Sequence, residues 1–477
     1  MQAGYWLKLS RERLENARER LATCESVVGG FNLLVDRSKQ IKPKELEQLI
    51  KAAGIELPLD GSMWSAEAPR HAAILDRRGF VESLVTCIAS GHSLELPISR
   101  REVFEWLNRR WGKSSDKRVG GQPAHMALAA CNLVSKVVLV GWPIPKSYVR
   151  LLPRIDNIYL MVSEGNELRV KSIRECTDLS GHNYANWAIV FPEGLEIRIG
   201  SSKVKCPRAG RFIANWFPRE QWMSPGTSDN LSRSGIQATH AFLSGCQSLC
   251  PEVDTKGLWR RQVCEFAATI RTLRSRTACR AVHYEMGTMR GPLLKEVIEE
   301  VFPVVDSVGC NELELAEILR AIGDKKLASQ ITAESIEDVY RGASRVVRHC
   351  GLRRLHVHTW DFHVSISQGG ADNHVVERDA LLFGAVMGAA KTYTVEHIQD
   401  SHIEQGLNTP FSDSGIKLVR DLHENPKAVG ECIGDGRFQT ACDTVVSIVP
   451  GRVKPGLDST VGLGDTLSSM AFLAAAG

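Results

Sequence analysis

The sequence predicts an α/β protein organised on a mostly parallel central sheet. Three observations carry that prediction. Short β-branched runs alternate with amphipathic stretches through the second half of the chain, at the spacing of strand-helix-strand units. The 477 residues exceed what one small core needs. A composition of 43% hydrophobic and 24% charged residues is that of a folded globular chain.

The mixed-charge opening, with Lys8, Arg11, Glu12, Arg13 and Glu15, has helical spacing and lacks the apolar centre of a signal peptide. Ser26 to Asp36 is apolar and β-branched and opens the fold as a strand, and Lys44 to Ala53, past Pro43, returns to a helix. A helix over about Ala72 to Ser90 comes next. It is followed by a polar stretch with Glu95 and Pro97 and by the basic run Arg109 to Arg118, read as a solvated lid loop. Gly120 to Ala130 is a glycine-rich entry to a helix, and Lys136 to Val140 is a buried strand. From Ile158 to about Ile199 a strand-like pattern broken by turn signals returns to the same lid. Strands are then expected at Ala241 to Leu243, Arg280 to Tyr284, Pro303 to Val308, Arg354 to His358 and Thr444 to Ile448. Helices near Trp259 to Arg274, Pro292 to Glu300, Asn311 to Ile322, Ser335 to Arg348 and Val376 to Ala390 fill the intervals.

A formal net charge of +4 is small for this length and does not point to nucleic acid as the main partner. The longest apolar stretch, Leu381 to Ala390, falls well short of the roughly 20 residues of a membrane helix. A cytoplasmic protein, monomeric or a small homo-oligomer, is expected. Thirteen cysteines without a C-x-x-C pair suggest neither a disulfide framework nor a zinc ribbon. Cys246 and Cys250, one helical turn apart, read as buried helix cysteines, and His356, His358 and His363 as strand packing or substrate contact rather than zinc ligands.

In open α/β sheets ligands bind beyond the carboxyl ends of strands, so polar residues there carry the chemistry. Ser459 to Thr466 holds Gly462, Gly464 and Asp465 at the start of a helix. Its backbone N–H groups would face an anion, and the carboxylate beside them can accept the proton of an attacking hydroxyl. An N-capping aspartate is the plainer reading. Gly120, Gly121 and Gln122 let the backbone approach a small polar ligand or form an ordinary turn. Glu285 and Glu314 follow successive predicted strands, where two carboxylates suit Mg²⁺ beside phosphates. Asn32 and Asp36 can hydrogen-bond sugar hydroxyls.

Taken in order, these pieces resemble the ADP-dependent glucokinase and phosphofructokinase family of ribokinase-like sugar kinases. The matching segments are Gly30 to Asp36, Glu95 to Pro97, Gly120 to Gln122, Arg211 to Ile213, His283 to Glu285, Ser307 to Leu315, His356 to Thr359 and Ser459 to Ser468. The resemblance implies a ribokinase-like large domain (1–36, 119–157 and 218–477) and a smaller discontinuous α+β lid (37–118 and 158–217). It implies ADP as phosphoryl donor, AMP as product, and a divalent cation such as Mg²⁺. Asp465 would be the base, Gly462 to Gly464 the anion hole, and Arg211 the cation reaching the transferred phosphoryl. His283, Glu285, Asn311 and Glu314 would organise magnesium and water, and Asn32, Asp36, Glu95, Gly121 and Gln122 would contact the sugar. The family usually has a sugar-contacting histidine where Asn186 stands, an acidic residue at Val190, and small or apolar residues at Pro123 and His125. These departures leave the acceptor open among glucose, fructose 6-phosphate, ribose 1-phosphate and a nucleoside. An ATP-dependent kinase of the same superfamily and a non-catalytic sensor are the other readings.

Overall fold

The computed structural model describes residues 2–54, 73–91, 93–164, 167–176, 184–199, 202–207, 209–254, 256–368, 373–440, 444–454 and 461–477. Helix α1 (Ala3–Ala22) leads into β1 (Val27–Phe31), and after Asn32 and Leu33 the chain enters β2 (Leu34–Gln40). Next come α2 (Pro43–Ala52), α3 (Arg77–Ser90), β3 (Leu94–Pro97), α4 (Arg101–Trp111), β4 (Asp116–Gly120), α5 (Gln122–Ala130) and β5 (Val137–Gly141). They are followed by α6 (Tyr148–Leu151), β6 (Ile158–Glu164), β7 (Glu167–Ser172), β8 (Ala185–Phe191), β9 (Glu196–Ile199), β10 (Ser202–Lys205) and β11 (Gly210–Trp216). The second half runs α7 (Thr227–Arg233), β12 (His240–Leu243), α8 (Leu258–Arg276), β13 (Ala281–Glu285), α9 (Gly291–Glu300), β14 (Ser307–Asn311), α10 (Glu312–Ala321), α11 (Lys325–Ala328), α12 (Ile336–Cys350), β15 (Arg354–His358) and β16 (Phe362–Gln368). It closes with α13 (Asn373–Lys391), α14 (Asp400–Asn408), α15 (Asp413–Glu424), β17 (Glu431–Gly434), β18 (Arg437–Gln439), β19 (Thr444–Pro450) and α16 (Leu463–Ala476).

Two sheets carry the architecture. The 12-stranded sheet has the order β17-β18-β19-β16-β15-β14-β13-β12-β1-β5-β6-β7. Its centre, from β6 to β15, is parallel, and antiparallel strands flank it on both sides. Such a centre must be covered on both faces, which is why Val137 to Gly141 is an unbroken buried run. Alternate residues point to opposite cores: Val27 and Leu139 pack with α5, α13 and α16, while Val28, Val138 and Val140 pack with α8, α9 and α12. The five-stranded sheet, β3-β11-β8-β2-β4, has one face buried through Val35, Trp187, Ile189 and Phe212 against α2, α3 and α4. Its other face looks toward the carboxyl ends of the large sheet.

The structure changes several expectations. Ser26 to Asp36 is two strands in different sheets, because the chain leaves the large sheet at Asn32 and Leu33. The basic run Arg109 to Arg118 is the end of α4, a turn over 112–115 and most of β4 rather than a loop throughout; Val103, Phe104, Leu107 and Trp111 give α4 a buried face and leave its arginines outside. Residues 158–172, assigned to the lid from sequence, add β6 and β7 to the large sheet, and the lid strands resume only with β8. At the other junctions β2 begins at Leu34 and β4 ends at Gly120, so 34–36 and 119–120 belong to the five-stranded sheet. Pro303 lies in a 3₁₀ turn, Phe302–Val304, and β14 starts at Ser307, since proline cannot donate to a central ladder. Cys246 lies in a 3₁₀ turn and Cys250 beyond it, both buried but neither in an α-helix. Ala72, Ser459 and Thr460 lie outside the described residues.

Candidate active site

The carboxyl ends of adjacent parallel strands converge on one cavity, as the topology requires. Asn32 follows β1, Gln247 follows β12, Glu285 ends β13, Asn311 ends β14 and His358 ends β15; all line the cavity. The opposite wall is the open face of the five-stranded sheet. Leu34 and Asp36 from β2, Asn186 and Ala188 from β8, Arg211 and Ile213 from β11 and Glu95 from β3 share that face by strand alternation and register, Asp36 lying opposite Asn186 and Glu95 opposite Ile213. The cleft has a volume of about 480 Å³, within the usual range of small-molecule sites.

Helix α16 closes the cavity from a third side. Gly462 is its N-cap at φ +72°, a conformation that favours glycine, and a Cβ there would lie 2.7 Å from the His125 ring. No side chain caps the helix. The N–H groups of Leu463, Gly464 and Asp465 therefore point out of the first turn at the positive end of a 14-residue helix. Across the site Gly121 holds φ +89°, with its Cβ position 1.9 Å from the Asn32 carbonyl oxygen, so only glycine allows α5 to start there.

Asp465 is held by Gln122, whose Nε2 donates to Asp465 Oδ1 at 3.1 Å and to the Met286 carbonyl at 2.5 Å. Gln122 Oε1 accepts from Gln247 Nε2 at 2.6 Å. Gln122, expected from sequence to contact the sugar, lines the cavity and also holds the carboxylate, and Gln247 is a supporting residue that sequence reasoning missed. Burial pushes the Asp465 carboxyl up to about 6, opposed by the Gln122 hydrogen bond and the charges of Arg211 and Lys391 and assisted by Glu95.

The acidic residues gather on the large-domain wall. Burial raises Glu314 to about 7, and Asp465 adds to the shift. Glu285 is raised well above the ordinary carboxylate range by burial and then by Asp465. Asn311 and Glu314 form a reciprocal capping box, Asn311 Oδ1 accepting from Glu314 N at 2.9 Å and Glu314 Oε2 accepting from Asn311 N at 3.0 Å. Asn311 thereby places Glu314 and uses its own carbonyl oxygen doing so. His283, grouped with the magnesium residues from sequence, has both ring nitrogens occupied: Nε2 lies 3.0 Å from Glu285 Oε2 and Nδ1 lies 2.9 Å from Ser307 Oγ. It is fully buried behind Glu285 and does not line the cavity.

On the small-sheet wall Asn186 Nδ2 donates to Asp36 Oδ1 at 3.0 Å and Asn215 Nδ2 to Glu95 Oε1 at 2.9 Å. Burial lifts Asp36 to about 7, and raises Glu95. Asn32 Oδ1, Asn186 Oδ1 and Arg211 Nη1 are buried without a partner, and so have capacity left for a ligand. His356 and His363 are buried and His358 partly so, and desolvation lowers the pKa of all three. Their rings cluster, with His358 and His363 lining the cavity, but the one set of three metal-compatible groups among the described residues is Cys264, Glu296 and Glu300, on α8 and α9.

A model of the ADP-specific phosphofructokinase/glucokinase conserved region matches residues 25–474. The chain belongs to this family. It is an ADP-dependent sugar kinase, a phosphotransferase acting on a sugar hydroxyl, as the ordered motifs implied. Among its relatives, an ADP-specific phosphofructokinase of Thermococcus litoralis is 29% identical over 455 residues, covering 93% of this chain and 94% of that one. An ADP-dependent glucose/glucosamine kinase of Pyrococcus furiosus is 26% identical over 481 residues, covering 98% of both. A solved ADP-dependent kinase in complex with fructose 6-phosphate and ADPβS superimposes with a TM-score of 0.83 at 22% identity, over 100% of this chain and 98% of that one. At that identity the likeness establishes the fold, the ribokinase-like α/β architecture of the family. No described helix is long and apolar enough to cross a membrane.

Proposed function

We propose that this ADP-dependent sugar kinase takes an unphosphorylated sugar as acceptor, with Asp465 as the base. The observation that carries this reading is the charge of the acceptor wall. Asp36 and Glu95 stand there half-buried, and the buried unpartnered atoms of Asn32 and Asn186 are carbonyl oxygens, which accept from hydroxyls. Among the described residues of that wall Arg211 is the one cation. The cavity's other basic side chains are committed: Arg452 donates to the carbonyls of Leu407 and Thr409 and Lys454 to that of Thr392. A sugar phosphate would bring a dianion against two acidic side chains, which burial already biases toward their neutral form, with one arginine to offset it.

In the proposed reaction the acceptor oxygen bonds to the β-phosphorus of ADP, the bond from that phosphorus to the bridging oxygen breaks, AMP departs, and the hydroxyl proton passes to Asp465. Gln122 fixes the carboxylate for that transfer, and the N–H groups of 463–465 face the phosphoryl oxygens. Glu285 and Glu314, buried carboxylates without a lysine or arginine partner among the described residues, are a hard oxygen set that fits Mg²⁺. They would hold the ion, directly or through water, and the ion would neutralise phosphate charge. Withdrawal of water under the five-stranded sheet would protect the phosphoryl group from hydrolysis.

Incubation with ADP, Mg²⁺ and a panel of free and phosphorylated sugars, read out as AMP, tests the reading. A free hexose is expected to give the highest kcat/KM, and preference for a sugar phosphate overturns the acceptor assignment. Glu95→Ala is expected to lower kcat/KM for the sugar about 10- to 100-fold, the worth of a hydrogen bond to a charged group, with KM for ADP unchanged.

The pH profile follows from Asp465. A base acts unprotonated, so kcat/KM should fall on the acid side of about pH 6 and level off above it. Arg211 and Lys391 pull that limb down, while Glu95 pushes it up. A flat profile from pH 5 to 8 would remove Asp465 from the role.

A further inference from the structure

A line of polar side chains crosses the buried face of the parallel sheet under α13 and α16. His283 on β13 lies opposite Ser307 on β14, and Ser307 lies opposite Arg354 on β15. Arg354 Nη1 donates to Ser307 Oγ at 3.0 Å. Ser307 Oγ lies 2.9 Å from His283 Nδ1, and His283 Nε2 lies 3.0 Å from Glu285 Oε2 and 3.1 Å from Ser468 Oγ. At the far end Arg354 Nε lies 3.0 Å from Glu377 Oε2 on α13, which also accepts from Ser365 Oγ at 2.9 Å. Every member is 8% exposed or less, and the His283 ring is stacked on Phe472 with centroids 5.1 Å apart.

The chemistry of these groups gives the line a direction. A guanidinium only donates, so the Ser307 oxygen accepts from Arg354 and its own proton is free to point at His283 Nδ1. With Nδ1 accepting, the imidazole proton stands on Nε2, aimed at Glu285. Glu377 balances the arginine's charge, and its contacts with Nε hold the guanidinium in the one orientation that sends Nη1 to Ser307. At the receiving end there is no room for adjustment, because a Cβ on Gly309 would lie 2.1 Å from both Glu285 Oε2 and Ser468 Oγ.

We propose that Arg354, Ser307 and Glu377 are positioning residues that fix the Nε2–H tautomer of His283 and through it the orientation of Glu285, by a one-way hydrogen-bond relay across three strands. A buried ion pair costs desolvation and is weak evidence of stability by itself, so on this proposal its presence here is accounted for by what it orients. Partners of this kind, one shell behind a metal-organising group, commonly set metal affinity. That kinetic consequence rests on Glu285 organising the cation; the tautomer does not.

The test separates the two. In metal-free protein labelled with ¹⁵N-histidine, the His283 ring signals are assigned by their loss in His283→Gln. The wild type is expected to show a protonated Nε2 and a bare Nδ1. Ser307→Ala should move those signals toward a tautomer mixture and raise the magnesium concentration for half-activation about 10- to 100-fold, with the sugar KM unchanged. Ser307→Thr, which keeps the hydroxyl on a residue suited to a strand, should restore both. A wild type carrying its proton on Nδ1 overturns the relay without any variant, as do His283 signals unmoved in Ser307→Ala. Moved signals with an unchanged magnesium midpoint uphold the relay and overturn the cation role of Glu285.

Discussion

Asp465→Asn should lower kcat by about 10² to 10⁴, the usual worth of a positioned base, and leave ADP affinity close to that of the wild type. The expectation follows from where the residue stands. Asp465 is in the first turn of α16, beside the outward N–H groups of that turn, and Gln122 fixes its Oδ1 from α5. Asparagine keeps the volume, the carbonyl oxygen that Gln122 can donate to, and the helix turn that would face the phosphates. It loses only the ability to take a proton. Turnover with saturating ADP and sugar measures the loss, and titration of ADP by calorimetry measures what remains. Near-normal turnover would mean that the hydroxyl proton leaves by another route. The acid limb near pH 6 should vanish in the same variant, since the group responsible for it is gone.

What could be read from the sequence was local. Gly462, Gly464 and Asp465 lie within four residues at a helix start, and Asn311 with Glu314 is a capping box at its diagnostic spacing, so both were visible as pattern. Alternation of strands and helices gave the parallel centre, and helices α8, α9, α10, α12 and α13 fall within a few residues of where periodicity placed them. What was hidden depends on long-range register. Nothing near Gln247 marks it, because its partner Gln122 is 125 residues away, and the Gln122 contact with Asp465 spans 343. Arg211 faces the cavity because β11 pairs with β8 in a register that sets Arg211 opposite Val190. The role expected of it rests on the resemblance and not on pattern. The junction at Asn32 and Leu33 was read through as a single strand because Leu33 and Leu34 continue the apolar run into the other sheet. Ser307 and Arg354 had no signal at all, since a serine and an arginine at strand starts are ordinary until the strands are laid side by side.

Glu314→Gln isolates the cost and the use of the acidic cluster. Glutamine serves equally well at the third position of a capping box, so the Asn311 contact and the start of α10 should survive the change. Only the charge is removed. The magnesium midpoint should rise about 10- to 100-fold, and an unmoved midpoint in both this variant and Glu285→Gln would end the cation assignment. Stability should change in the opposite sense. The folded pKa of Glu314 is raised to about 7 from an ordinary 4.5, so folding favours its protonated form. That contribution is fully present below about pH 4.5 and is lost as pH rises through 7, where a buried carboxylate faces Asp465 without a cation. Metal-free wild type should therefore melt at a lower temperature at pH 8 than at pH 5.5 on this account, and Glu314→Gln should narrow that difference. Saturating Mg²⁺ should raise the melting temperature of the wild type at pH 8 more than that of the variant, because a ligand stabilises in proportion to its affinity for the folded state. The cluster thus links binding and stability through a single quantity, the negative charge left uncompensated in the cavity. A variant that moved the magnesium midpoint but not the melting difference would show that these carboxylates do not share one electrostatic site.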